Sequence, residues 1–230
     1  MKKALMLFML IFIFGCKVNT DPLAQGPEDE QATYRLVFAT TWNDSTFSTS
    51  FPANRHFSGL IGATHSEANL FWQDGVLSSV GIQRVAELGA KDSLQAEVIA
   101  AINSGSANSL LSGGDIPLQA DSVEMQFTVQ LDAPLVTLVT MVAPSPDWFV
   151  GVNSLNMIAQ NDWRNNFTVN LPVYDAGTDD GLRFESGNLE ASPFKPIQRL
   201  SSDASDTDFS DGIHRTDFSY IATFRFERVN

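Results

Sequence analysis

The clearest pattern in this chain lies at residues 122–131. Val123, Met125, Phe127, Val129 and Leu131 alternate with Glu124, Gln126, Thr128 and Gln130. A period of two with one apolar and one polar side is that of a half-buried antiparallel strand. Residues 220–226 repeat it: Tyr220, Ala222, Phe224 and Phe226 share a face against Thr223 and Arg225. A last strand patterned so well predicts that the C-terminus pairs back into the sheet. Residues 33–42, rich in aromatic and β-branched side chains, predict an opening strand. Residues 135–142 are more uniformly apolar and predict a central one. Residues 148–152 and 167–171 are shorter candidates.

Helical spacing is confined to one stretch. Ile82, Val85, Ala86 and Gly89 fall at i, i+3, i+4 and i+7, the stripe of an amphipathic helix. Asp92 with Gln95 offers a capping box for a second helix through Leu94, Val98, Ile99 and Ile102. Many short strands with a small helical insert predict an all-β fold: an antiparallel β-sandwich with one or two short helices on its rim.

The N-terminus follows another rule. Lys2 and Lys3 precede 12 residues, 4–15, without a charged or strongly polar side chain. A span of the hydrocarbon core needs about 20, so the run fits the apolar part of an export signal. It ends at Ile13-Phe14-Gly15-Cys16, which resembles the lipobox of bacterial lipoproteins and implies a lipid on Cys16. Cys16 is the chain's one cysteine, so no internal disulfide is available. The expected division is a signal at 1–15, a lipidated Cys16 with a polar tether over 16–32, and one domain over 33–230. The chain is then exported and lipid-anchored, at the outer membrane or cell surface. Lys17 after the cysteine is consistent with outer-membrane transfer.

Charge narrows the partners. Without Lys2 and Lys3, 12 basic residues face 27 acidic ones, a net charge of −15. Such a surface repels nucleic acid and anionic headgroups and suits cations or basic partners. Contact with a membrane is expected through the lipid alone.

Little in the sequence points to catalysis. Gly-x-Ser-x-Gly is absent, no His-Glu-x-x-His occurs, and His56, His65 and His214 are dispersed. The strongest local signal is acidic. Asp147 sits in Pro144-Ser145-Pro146-Asp147-Trp148, and Asp175, Asp179 and Asp180 share a glycine-flanked loop. Ca²⁺ takes six to eight oxygens, and carboxylates four apart on a tight loop could converge on one. An EF-hand fails here, because Asp180 stands where its glycine belongs and Ser186 where its last glutamate does. From the residues alone, a solvated acidic turn fits equally well.

These residues also carry a resemblance. His56-Phe57-Ser58-Gly59-Leu60-Ile61-Gly62-Ala63-Thr64-His65, the Pro144–Leu155 block, and Tyr174-Asp175-Ala176-Gly177-Thr178-Asp179 resemble, in order, the spondin N-terminal domain of F-spondin and mindin. The resemblance runs over about 33–228. It implies a C2-like β-sandwich with bound Ca²⁺ and no catalysis, serving recognition and adhesion to a surface or extracellular protein or glycan. It implies Asp147, Asp175 and Asp179 as the metal carboxylates, with Asp180 and loop carbonyls as further candidates. Two departures stand out: Asn153 replaces the usual aspartate, and Met157-Ile158 lie where a disulfide cysteine is usual. The thrombospondin repeats that usually follow are absent from this sequence, so their matrix functions are not expected of it. A carbohydrate-binding module, with Trp42, Phe71, Trp72 and Trp163 as a stacking platform, is the alternative, and a secreted hydrolase is the lesser one. The aspartates over 201–212 read as a solvated loop.

Overall fold

The structure is a computed structural model that describes residues 26–45, 51–200 and 220–230. The export signal, Cys16, the first part of the tether, the 201–212 loop and His214 lie outside the described residues.

Along the chain come β1 (Gln31–Thr40), β2 (His56–Phe57) and β3 (Ile61–His65), then α1 (Val80–Leu88) and α2 (Asp92–Ser104). Next are β4 (Ala107–Ser112), β5 (Ser122–Gln130), β6 (Leu135–Ala143), β7 (Trp148–Asn156), β8 (Ile158–Ala159) and β9 (Asp162–Trp163). β10 (Phe167–Leu171), β11 (Val173–Asp175), β12 (Gln198–Arg199) and β13 (Ala222–Arg228) complete the order. The first expected strand starts at Gln31, two residues inside the expected tether, with Ala32 fully buried.

Two sheets face each other. One has the order β10-β13-β1-β5, and the other β12-β11-β7-β6-β3-β4 with β2 added beside β6. All the pairings are antiparallel. The last strand does pair back, with Phe38 opposite Phe224 and Leu36 opposite Phe226. Alternation sends Tyr34, Leu36 and Phe38 inward to meet Phe224 and Phe226, while Arg35 points out to Glu124 and Glu227. This is the aligned sandwich of two sheets around one apolar layer.

The seven-stranded sheet has a second dry face, and here the helices differ from the expected rim position. Ile82, Val85 and Ala86 of α1 and Leu94 and Val98 of α2 pack on Ile61, Ala63, Val139 and Phe149. The helices therefore lie over the outer face of the sheet, which explains why β3 and β6 are buried on both sides. Gly62 in β3 has no room for a side chain, since a Cβ there would stand 1.9 Å from the Thr137 carbonyl oxygen.

Helix α1 starts as its sequence suggests, with the Ser79 hydroxyl accepting from the Ile82 N–H. The Asp92–Gln95 capping box does not form. The N-cap of α2 is Lys91, in a helical conformation and without a side-chain cap bond. Asp92 opens the helix instead, where a negative charge favours the dipole. The carboxylate of Glu97 on α2 accepts from Gly81 N–H (2.7 Å) and the Ser79 hydroxyl (2.8 Å), tying the start of α1 to its partner.

The sandwich has two distinct poles. At one, the indole of Trp163 donates to the Asp29 carbonyl and Arg228 pairs with the Asp29 carboxylate, fixing the segment that leads into β1. At the other, Trp42, just past the end of β1, packs on Phe57 and Phe184, and Phe184 meets Trp148.

Candidate metal centre

Asp147 immediately precedes β7 at the Trp42 pole. The Ser145 hydroxyl accepts from the Trp148 N–H (3.0 Å), closing the Pro144–Pro146 turn. The Asp147 carbonyl accepts from Ala176 N–H (3.0 Å), which joins that turn to the loop after β11. Gly177 supplies the loop's bend: its φ is +75°, and a Cβ would lie 2.0 Å from the Lys195 carbonyl oxygen. Only glycine meets both demands.

Each aspartate then has a different task. Asp147 is fully buried. Its Oδ2 accepts from the N–H groups of Thr178 (2.7 Å) and Asp179 (3.0 Å) and from the Thr178 hydroxyl (3.2 Å). Its Oδ1 is buried with no hydrogen-bond partner among the described residues. Asp175 accepts from Gly177 N–H through Oδ1 (2.7 Å). Asp179, also buried, has both oxygens on the backbone, accepting from Gly181 (2.7 Å) and Leu189 (2.8 Å). Asp180 forms an ion pair with Lys195 (2.6 Å). The spacing of four between Asp175 and Asp179 thus builds two successive turns in which a carboxylate caps an N–H two residues on.

Charge is strained here. Burial, and then the neighbouring Asp175, push the Asp147 carboxyl up to about 7, against the pull of its three donors. Burial also raises Asp175, opposed by the Gly177 N–H and by Lys195. A buried carboxylate whose proton affinity is raised by a neighbouring carboxylate will also favour a cation placed between the two. Among the described residues, however, no three His, Cys, Asp or Glu side chains converge as a metal cluster. Asp147 and Asp175 are brought together, whereas Asp179 faces its own backbone. The sequence could not show this, because hydrogen-bond demand inside the loop has no signature in residue spacing.

Asn153 stands six residues further along β7, bonded to Asn69 and Ser154 and apart from the acidic pair. His65 is fully buried, with Nδ1 on the Glu67 carbonyl and Nε2 on the Thr137 hydroxyl. His56 is on the short β2, its Nδ1 on the Asn54 carbonyl. Trp42, Phe71, Trp72 and Trp163 are buried at 7% exposure or less, so they fill the core and offer no stacking platform. No helix among the described residues is long and apolar enough to cross a membrane.

Comparison with known proteins agrees with this architecture. The Spondin_N family model matches residues 32–215. Spondin-2 of Homo sapiens is 33% identical over 175 residues, covering 74% of this chain and 53% of that protein. Spondin-1 of Gallus gallus is 32% identical over 183 residues, covering 74% of this chain and 22% of that protein. The chain spans about half the length of Spondin-2 and about a fifth of Spondin-1. The family match covers both strands that frame the acidic loop, and the chain belongs to the spondin N-terminal domain family.

Proposed function

We propose that this domain is a calcium-stabilised, non-catalytic recognition module, carried outside the cell and held to a membrane by a lipid on Cys16. Membership of the spondin family supports the non-catalytic, extracellular part of that reading. The observation that carries the calcium part is Asp147 Oδ1, a buried carboxylate oxygen without a partner, beside a second carboxylate. An unpaired buried charge is costly, and a hard cation offsets that cost.

The donor set fits such an ion. Asp147 Oδ1 and the second oxygen of Asp175 would hold it, and both are oxygen donors of the kind Ca²⁺ prefers. Asp179 shapes the loop through its two backbone bonds. Bound calcium would neutralise the pair and lock the 144–147 turn to the 175–180 loop. At about 100 times its dissociation constant it would add about 2.7 kcal/mol of stability.

Thermal melts with Ca²⁺ and with chelator test this. The wild type is expected to melt higher with calcium, and Asp147→Asn and Asp175→Ala to lose most of that gain. Equal melting temperatures for the wild type in both buffers would remove the metal from the proposal. Cell fractionation tests the anchor: Cys16→Ser should release a folded domain from membranes, and a membrane-bound Cys16→Ser protein would refute it.

A further inference from the structure

A second polar feature lies on the same strand, away from the acidic pair. Opposite β6, β7 carries a bulge: Val136 pairs with Leu155 and Leu138 with Val152, so Thr137 alone faces both Asn153 and Ser154. The extra residue flips the alternation and turns Leu155 back toward the core. Bulges of this kind re-aim side chains and are frequent beside functional sites.

The bulge is strained, and a one-way hydrogen-bond chain holds it. Ser154 has φ +51° and Asn69 φ +57°, a region that non-glycine residues enter at a cost. The Asn69 N–H donates to the Ser154 hydroxyl (2.7 Å), which donates to Asn153 Oδ1 (2.8 Å). Asn153 Nδ2 donates to Asn69 Oδ1 (2.7 Å) and closes the ring. Beneath it, Ser154 N–H donates to the Thr137 hydroxyl (3.0 Å), which donates to Nε2 of buried His65 (2.8 Å). His65 Nδ1–H meets the Glu67 carbonyl and fixes the tautomer. Among the described residues Asn153 keeps one N–H and one lone pair unused, held in position by a half-buried network.

Asn153 opens onto a groove of about 410 Å³ where β11 leaves the side of β7, within the ~300–1,000 Å³ usual for small-molecule sites. Its rim carries Asn153, Asn170, Gln73 and Asp74, and its walls include Tyr174 and Trp72. Trp72 is 6% exposed, and its indole N–H is buried with no acceptor among the described residues. Amides donate to and accept from hydroxyls, a carboxylate accepts from them, and the half-buried Tyr174 ring with its aliphatic neighbours suits the C–H faces of a sugar ring. No Lys, Arg or His lines the groove among the described residues, so nothing there would draw an anion.

We infer that this groove binds a neutral saccharide, with Asn153, Asn170 and Asp74 taking its hydroxyls and Tyr174 meeting its C–H surface. The site is independent of calcium at Asp147.

The test is an array of neutral mono- and oligosaccharides of glucose, galactose, mannose and N-acetylhexosamines, probed with the mature chain, followed by titration of the best binder. Asn170→Ala and Asp74→Ala, both at exposed positions, are expected to melt like the wild type and to lose at least tenfold in affinity. The sugar should shift the ring resonances of Tyr174, and affinity in chelator should equal that in calcium. The inference is overturned if no neutral saccharide binds at millimolar concentration. It is equally overturned if both groove variants bind normally, or if chelator abolishes binding to the wild type.

Discussion

The acidic loop and the Asn153 corner are both polar structures built on β7, and they solve burial in opposite ways. At the corner, neutral groups satisfy one another: His65, Thr137, Ser154, Asn153 and Asn69 form a continuous chain of donors and acceptors. At the loop, Asp147 receives three donors on one oxygen and none on the other, with Asp175 close enough to raise its proton affinity. A satisfied network rigidifies by itself, whereas a half-satisfied buried charge carries a cost. The corner is therefore a finished support, whereas the loop keeps one buried carboxylate oxygen without a partner among the described residues.

The largest expected effect tests the loop. Asp147→Ala leaves two buried N–H groups unpaired, at about 1–3 kcal/mol each. Denaturant unfolding should show a loss of about 3 kcal/mol, and Asp147→Asn, which keeps an acceptor, a clearly smaller one. Next comes Thr137→Val at the corner, which strands the Ser154 N–H and His65 Nε2 while keeping shape. A loss of about 2 kcal/mol is expected, insensitive to calcium; a calcium-dependent loss would join the two regions that the structure separates.

Acidity should separate them further. Asp147 is raised from its ordinary range to about 7, so without calcium the loop is most stable at low pH and weakens as pH rises through about 7. Calcium should abolish that decline. His65 is shifted the other way, downward, chiefly by burial. Its contribution is complete above the ordinary histidine range and is lost as pH falls below it. In chelator the two groups should therefore oppose each other as pH falls from about 7, Asp147 raising the melting temperature and His65 lowering it, and His65→Gln should leave the rise alone. The smallest effect sharpens the strain at the bulge. Ser154→Gly and Ser154→Ala lose the same hydroxyl, but glycine tolerates the positive φ, so it should be about 1 kcal/mol the more stable of the two.

The sandwich was legible where one face of a strand is wet. β5 and β13 alternate, and both were expected within two residues of their observed starts. β3 and β4 gave no such signal. The Ile61–His65 strand is buried on both faces and contains the glycine that its packing requires, and Ala107–Ser112 is flanked by glycines that read as breakers. α1 was visible from its apolar stripe, but the capping box was not realised, because Lys91 is already helical. At the candidate metal centre, the sequence and the family resemblance put forward the three aspartates without ranking them. Their division into one orphan, one neighbour and one loop brace depends on which N–H each oxygen meets. The bulge at Asn153–Ser154 was hidden for a like reason: it is a register difference between two strands, and neither strand alone encodes it.

The clamp of Asp29 by Trp163 and Arg228 sets the geometry of display. It fixes where the chain enters the domain, at the pole away from Asp147, with ten-residue β1 running between them. That strand is about 33 Å long at ~3.3 Å per residue. Under the proposed lipid on Cys16, with up to ~35 Å of extended chain from there to Gly26, the acidic loop would lie at the end of the described domain away from the chain's entry. On that proposal, whatever meets the loop would arrive from beyond the cell and not from the bilayer.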